Sequence, residues 1–194
     1  MTRAVTFIAV LAVAAAVAGT PAASSPGQSP GDARARYPDY GLSFRYPANW
    51  TRVDWCWIGA SFVTPITLLT SVRPAPTCTS TTHSGTSWPP RQRLGTNDVT
   101  VLWSLDGFPG GLREPGRRTR IADRAALLAY LSPGAPHGRF AVCRRLGARR
   151  MMQATIPAKA PDNYVFAVAC LRGPDFAPGE RAVVAMLAST RLAR

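Results

Sequence analysis

Lysine is nearly missing from this 194-residue chain: Lys159 stands alone among 23 basic residues, and the rest are arginine. Carboxylates are scarce as well. The 10 acidic residues are Asp32, Asp39, Asp54, Asp98, Asp106, Glu114, Asp123, Asp162, Asp175 and Glu180. No two are spaced to share a face of one expected element, so nothing recommends the paired carboxylates of a glycosidase. Only two histidines occur, His83 and His137, each beside Gly or Pro in loop-like sequence. A general base there lacks the partner that would orient it. The chain contains no G-x-S-x-G elbow, P-loop, dinucleotide fingerprint or run of metal ligands. The sequence therefore calls for no cofactor and no catalytic residue, with an extracytoplasmic enzyme of unknown class kept as the alternative.

Long apolar runs are also few, and the longest lies at the start. Arg3 precedes residues 4–18 (AVTFIAVLAVAAAVA), which lead into small residues and Pro. Charge, short apolar stretch and small-residue exit describe a secretory signal peptide over residues 1–23. The run falls short of the roughly 18–20 residues of a membrane span. Residues 24–36 (SSPGQSPGDARAR) offer little to bury and read as a flexible Ser/Pro/Gly-rich leader. Residues 37–194 then form a single domain, large enough for a real core.

Cysteine usage agrees with export. Cys56, Cys78, Cys143 and Cys170 are even in number and contain no C-x-x-C pair. Four cysteines allow three connectivities. Cys56–Cys78 and Cys143–Cys170 are favoured because each closes a loop of about 22 to 28 residues, nominally worth 3–4 kcal/mol. A zinc site would need close ligand pairs that are not there.

Hydrophobic patterning predicts an α+β domain, mainly antiparallel sheet with flanking helices. Residues 41–46 (GLSFRY) alternate with the period of a half-buried strand, ended by Pro47. Residues 58–63 and 66–72 are β-branched and apolar, and a hairpin is expected at Thr64-Pro65. Residues 99–105 form a further strand. Residues 121–131 fit helix or strand, with strand favoured for 126–131. Residues 138–146 suggest a short helix with Gly147 as its left-handed cap. Residues 150–156 and 164–171 form a hairpin, the second strand apolar on both faces and therefore central. Residues 179–191 read as a helix whose apolar stripe is Val183, Val184, Leu187 and Ala188.

The segment YGLSFRYPANW at residues 40–50 resembles the opening strand of PsbP-like domains, and residues 187–192 (LASTRL) resemble their closing helix. Residues 143–147 and 162–174 resemble secreted proteins of high-GC actinobacteria. The PsbP-like resemblance implies an antiparallel sheet with flanking helices, used for protein binding without catalysis. Its motif positions are structural, so it assigns no functional residue.

The arginines form two sequence clusters, Arg113/Arg117/Arg118/Arg120/Arg124 and Arg139/Arg144/Arg145/Arg149/Arg150. With a net charge of +13, they favour anionic envelope polymers or lipid headgroups, because net charge acts without specific geometry. Specific nucleic-acid binding is not expected of an exported chain. Arg144, Arg145, Arg149 and Arg150 are the candidate anion-binding residues. The five tryptophans read as core and loop anchors rather than a sugar platform. The expected protein is thus a secreted, non-catalytic binding domain in or outside the cell envelope. Its expected partner is an envelope protein or anionic polymer, with peripheral membrane contact; a charge-held structural component is a further alternative.

Overall fold

The computed structural model describes residues 31–53, 63–73, 93–106, 116–132, 143–158 and 163–193. The expected signal peptide, Cys56, Cys78, both histidines and Arg113 and Arg139 lie outside those residues. The elements, in chain order, are β1 (Asp32–Tyr37), a 3₁₀ turn (Pro38–Tyr40), β2 (Leu42–Pro47), β3 (Thr51–Val53), β4 (Val63–Thr70), β5 (Val99–Asp106), β6 (Arg117–Ile121), β7 (Arg124–Leu131), β8 (Arg150–Pro157), β9 (Tyr164–Leu171), helix α1 (Ala177–Ala188) and β10 (Arg191–Leu192). They build two sheets, one ordered β1-β2-β10 and the other β3-β4-β5-β9-β8-β7-β6. Strand pairing is antiparallel throughout the described residues.

β9 occupies the middle of the seven-stranded sheet, as its two apolar faces require. Every residue from Val165 to Leu171 is buried. Val165, Ala167, Ala169 and Leu171 join the main core with Val99, Val101 and Trp103 of β5. Val168 and Cys170 face the other way, onto Cys143, Leu146 and Met151. The small sheet and α1 cover the first face. There Phe44 of β2 stacks on Trp103, ring centroids 4.7 Å apart and planes 14° from parallel. The Trp103 indole N–H points to the Met186 sulfur of α1 at 3.4 Å.

Helix α1 begins where Asp175 Oδ1 accepts the Ala177 N–H at 2.9 Å, and its first turn carries Glu180, which suits the positive end of the helix dipole. It lies close to the sheet because position 179 is glycine: a Cβ there would stand 2.7 Å from Val99 Cγ2.

The sequence-based expectations for 41–46, 99–105, 126–131, 150–156 and 164–171 correspond to β2, β5, β7, β8 and β9. Several others are corrected. The span read as leader already contains β1, whose six residues pair with β2 from Asp32↔Pro47 to Tyr37↔Leu42. Small Ala33 and Ala35 can pack beneath that pairing although the segment has little apolar bulk. Thr64-Pro65 is not a turn but lies inside β4, with a bulge between Pro65 and Thr67. Among the described residues, β3 pairs with β4 from Leu68 to Thr70, which leaves Pro65 outside that pairing. Residues 117–121 form an additional strand, β6, joined to β7 by a two-residue turn in which Ala122 and Asp123 both have positive φ, as a type I′ hairpin requires. Helix α1 stops at Ala188, and Arg191–Leu192 leaves it to pair with β2, so the expected closing helix is shorter at its end. Its buried stripe is Val183, Met186 and Leu187, whereas Val184 is 43% exposed.

The Cys143–Cys170 disulfide is present, with Cα atoms 5.0 Å apart. It fastens the helical residues 143–145 to the C-terminal end of β9, and Gly147 then turns the chain at φ +77°. Both sulfurs lie in the second core. Replacing Cys143 with Ala is expected to lower the unfolding free energy by roughly 2–5 kcal/mol. Denaturant titration checks this, and a loss under about 1 kcal/mol would contradict the bridge's structural role.

Candidate anion-binding surfaces

Of the four arginines singled out from sequence, three are exposed to solvent and one is committed to an ion pair. Arg144 and Arg145 are exposed on the helical turn at 143–145, and Arg149 is exposed just before β8. Successive residues of a helical turn point about 100° apart, so Arg144 and Arg145 diverge. Arg150 has a different task. Its guanidinium forms an ion pair with Glu180 of α1 and lies 4.5 Å from the centre of the Phe176 ring. That side chain links the start of β8 to the first turn of the helix.

Among the described residues, the two arginine clusters stand on different elements. Arg117, Arg118 and Arg120 are exposed on β6, the outermost strand of the large sheet, where charge discourages pairing with another chain. Arg150 opens β8, two strands inward. Arg124 is committed to the fold, donating to the Pro157 carbonyl at 2.8 Å and to the Ala193 carbonyl at 2.6 Å. Arg172 likewise donates to the Leu94 carbonyl at 2.6 Å.

The sequence reading missed a different array. In β1 and β2 inward residues alternate with outward ones: Ala35, Leu42 and Phe44 are buried, whereas Arg34, Arg36 and Arg45 are exposed. The register sets Arg34 directly opposite Arg45, and Ser43 opposite both Arg36 and Arg191. Four arginines therefore stand on the outer face of the three-stranded sheet, with Asp32 at one end. Alternation in DARARY was the available signal, hidden by its position after a Ser/Pro/Gly-rich stretch.

Beside this face runs a groove of about 550 Å³ between β2 and α1, lined by Asp32, Arg45, Tyr46, Trp50, Arg181 and Met186 among others. Ser189 forms its neighbouring seam: its hydroxyl accepts the Arg45 N–H at 2.8 Å, holding the helix end against β2. The two described tryptophans, Trp50 and Trp103, are buried as core anchors.

On the opposite face of the large sheet, Ser104, Asp106, Gln153 and Thr155 are buried polar residues. Gln153 donates to Thr155 at 3.4 Å, and Asp106 and Gln153 each have further interactions. Asp98 is occupied structurally, accepting the Gly95 N–H at 2.7 Å and the Ser71 hydroxyl at 3.1 Å. Among the described residues, no group of three or more His, Cys, Asp or Glu side chains is placed to hold a metal ion.

No protein-family model matches the chain, and no curated protein matches it by sequence.

The division between structural and solvent-facing arginines can be measured. Arg150→Met keeps the aliphatic stem but removes the ion pair and the ring contact, and is expected to cost about 1 kcal/mol. Arg144→Gln is expected to stay within about 0.5 kcal/mol of the parent. Equal effects in thermal or denaturant unfolding would contradict the assignment.

Proposed function

We propose that the protein is an exported, non-catalytic α+β binding domain that works in or outside the cell envelope and associates with anionic envelope material through its arginines. The observation that carries this reading is the unequal pairing of charge. Arg150 is the one described arginine in an ion pair with a described carboxylate, while Arg34, Arg36, Arg45, Arg117, Arg118, Arg144, Arg145 and Arg149 all face solvent. A chain of net charge +13 whose cations point outward is attracted to polyanions.

Two further features support the reading. The buried Cys143–Cys170 bridge suits an oxidising compartment, in keeping with a cleaved signal peptide at residues 1–23. The second pairing, Cys56–Cys78, belongs to the same proposal. The segment that resembles PsbP-like domains supplies β2, and a PsbP-like domain would use such a sheet as a binding scaffold.

Two measurements test this. N-terminal sequencing of the protein recovered outside the cytoplasm is expected to begin between Gly19 and Ser24; an intact Met1 terminus would contradict export with cleavage. Co-sedimentation with envelope fragments is expected to weaken as salt rises from 0.05 M to about 0.5 M, where the Debye length shrinks to about 4 Å. Retention that ignores salt, or no retention at low salt, would contradict the charge-based reading.

A further inference from the structure

We infer that the outer face of the three-stranded sheet is a membrane-docking surface for anionic lipid headgroups, with Arg34, Arg36, Arg45 and Arg191 as its contact residues. This rests on the binding-domain reading above and names the surface and ligand class it would use.

The register carries the inference. Arg34 and Arg45 are direct cross-strand neighbours, and like charges placed opposite one another disfavour the pairing. The fold gains nothing from that juxtaposition, yet the same face adds Arg36 and Arg191 on either side of Ser43. Strands lie about 4.8 Å apart, and residues two apart along a strand are separated by about 6.6 Å. The four Cα atoms therefore fall within a patch roughly 10–12 Å across. Nearest neighbours in it are about 5–8 Å apart, within the Debye length of about 8 Å at physiological salt, so adjacent charges act together.

Shape selects the ligand. Side chains stand nearly perpendicular to a sheet, so Arg34, Arg36 and Arg45 project from one face, and Arg191 joins them at its edge with its guanidinium beside the Thr190 carbonyl at 3.5 Å. A planar bed of cations matches a planar bed of phosphates, and guanidinium forks bind phosphate oxygens in pairs. The neighbouring groove is lined by Arg45 but by none of the other three arginines, so it does not gather the four into one cleft. The exposed large apolar side chains among the described residues are Tyr130 and Val184, on β7 and α1, so this face contributes charge without an inserting wedge. Docking is expected to be peripheral, reversible and salt-sensitive.

The helix seam keeps the array in place. Ser189 Oγ accepts the Arg45 N–H at 2.8 Å and donates its one proton to the Met186 carbonyl at 2.8 Å, which ties the backbone of Arg45 to the end of α1 beyond the two-residue strand β10.

The test is co-sedimentation of the full mature chain with vesicles containing about one-third phosphatidylglycerol, at 0.05–0.5 M salt, with zwitterionic vesicles and envelope fragments in parallel. Basic residues at an anionic membrane each contribute about fivefold in affinity. A variant carrying Arg34→Gln, Arg36→Gln, Arg45→Gln and Arg191→Gln is expected to lose about 600-fold, nearly three orders of magnitude. The corresponding Lys variant is expected to keep most of the binding, which separates charge from misfolding. A variant with Arg144→Gln, Arg145→Gln and Arg149→Gln is expected to lose less than tenfold. Equal losses in the two Gln variants, or an unchanged four-residue variant, would overturn the assignment of the face. Binding of the parent to envelope fragments but not to anionic vesicles would overturn the lipid ligand while leaving the binding-domain reading standing. Binding to neither would overturn both.

Discussion

The packing of Phe44 against Trp103 is the contact on which the rest of the arrangement depends. Trp103 sits on β5, next to the central strand β9, and is fully buried. It receives Phe44 from the small sheet on its ring face and Met186 from α1 at its indole N–H. One side chain thus touches all three layers that must meet. Burying a Phe side chain contributes about 1.5–3 kcal/mol, and a favourable aromatic pair adds about 0.5–1.5 kcal/mol. Tyr37 and Tyr46 extend the cluster around Phe44 at 6.1 and 6.4 Å. Because strands alternate, anchoring Leu42 and Phe44 inward forces Ser43 and Arg45 outward. The position of the arginine face is a consequence of the core.

The opposite face of the large sheet is held differently. There the Cys143–Cys170 bridge, Leu146, Ala148 and Met151 form a second core, while Thr70 and Thr100 share a buried hydroxyl hydrogen bond of 2.9 Å. The arginines divide accordingly. Arg124, Arg150 and Arg172 are spent on carbonyls, a carboxylate and a ring within the fold. Those on β6 guard an edge, and those on β1, β2 and β10 make a flat array. Net charge alone does not distinguish these uses; register and burial do.

Strands with clean period-2 alternation or continuous apolar runs were legible in the sequence, and β9 even disclosed its central place. Elements were missed where composition masked period. Arg34 and Arg36 alternate with Ala33, Ala35 and Tyr37, but alanine carries a weak apolar signal beside so many Ser, Pro and Gly. Arg117 to Arg120 look like a solvated charge run until pairing with Ala125 to Leu128 is known. Pro65 suggested a turn, because a sequence does not show that a bulge between Pro65 and Thr67 lets the proline sit inside a strand. The candidate site failed to emerge for a further reason: Arg34 and Arg45 meet only once the β1–β2 register is known, and Arg191 joins them by a long-range pairing, whereas proximity in sequence favoured Arg144 to Arg150.

The most direct measurement is amide hydrogen exchange on Phe44→Leu. If the Phe44–Trp103 contact holds the small sheet in place, amides of β1, β2 and β10 are expected to exchange at least tenfold faster than in the parent. Those of β8 and β9, locked by their neighbours and by the Cys143–Cys170 bridge, are expected to change by less than threefold. Uniform acceleration across both sheets, or unchanged protection at Ala35, Phe44 and Arg45, would contradict it.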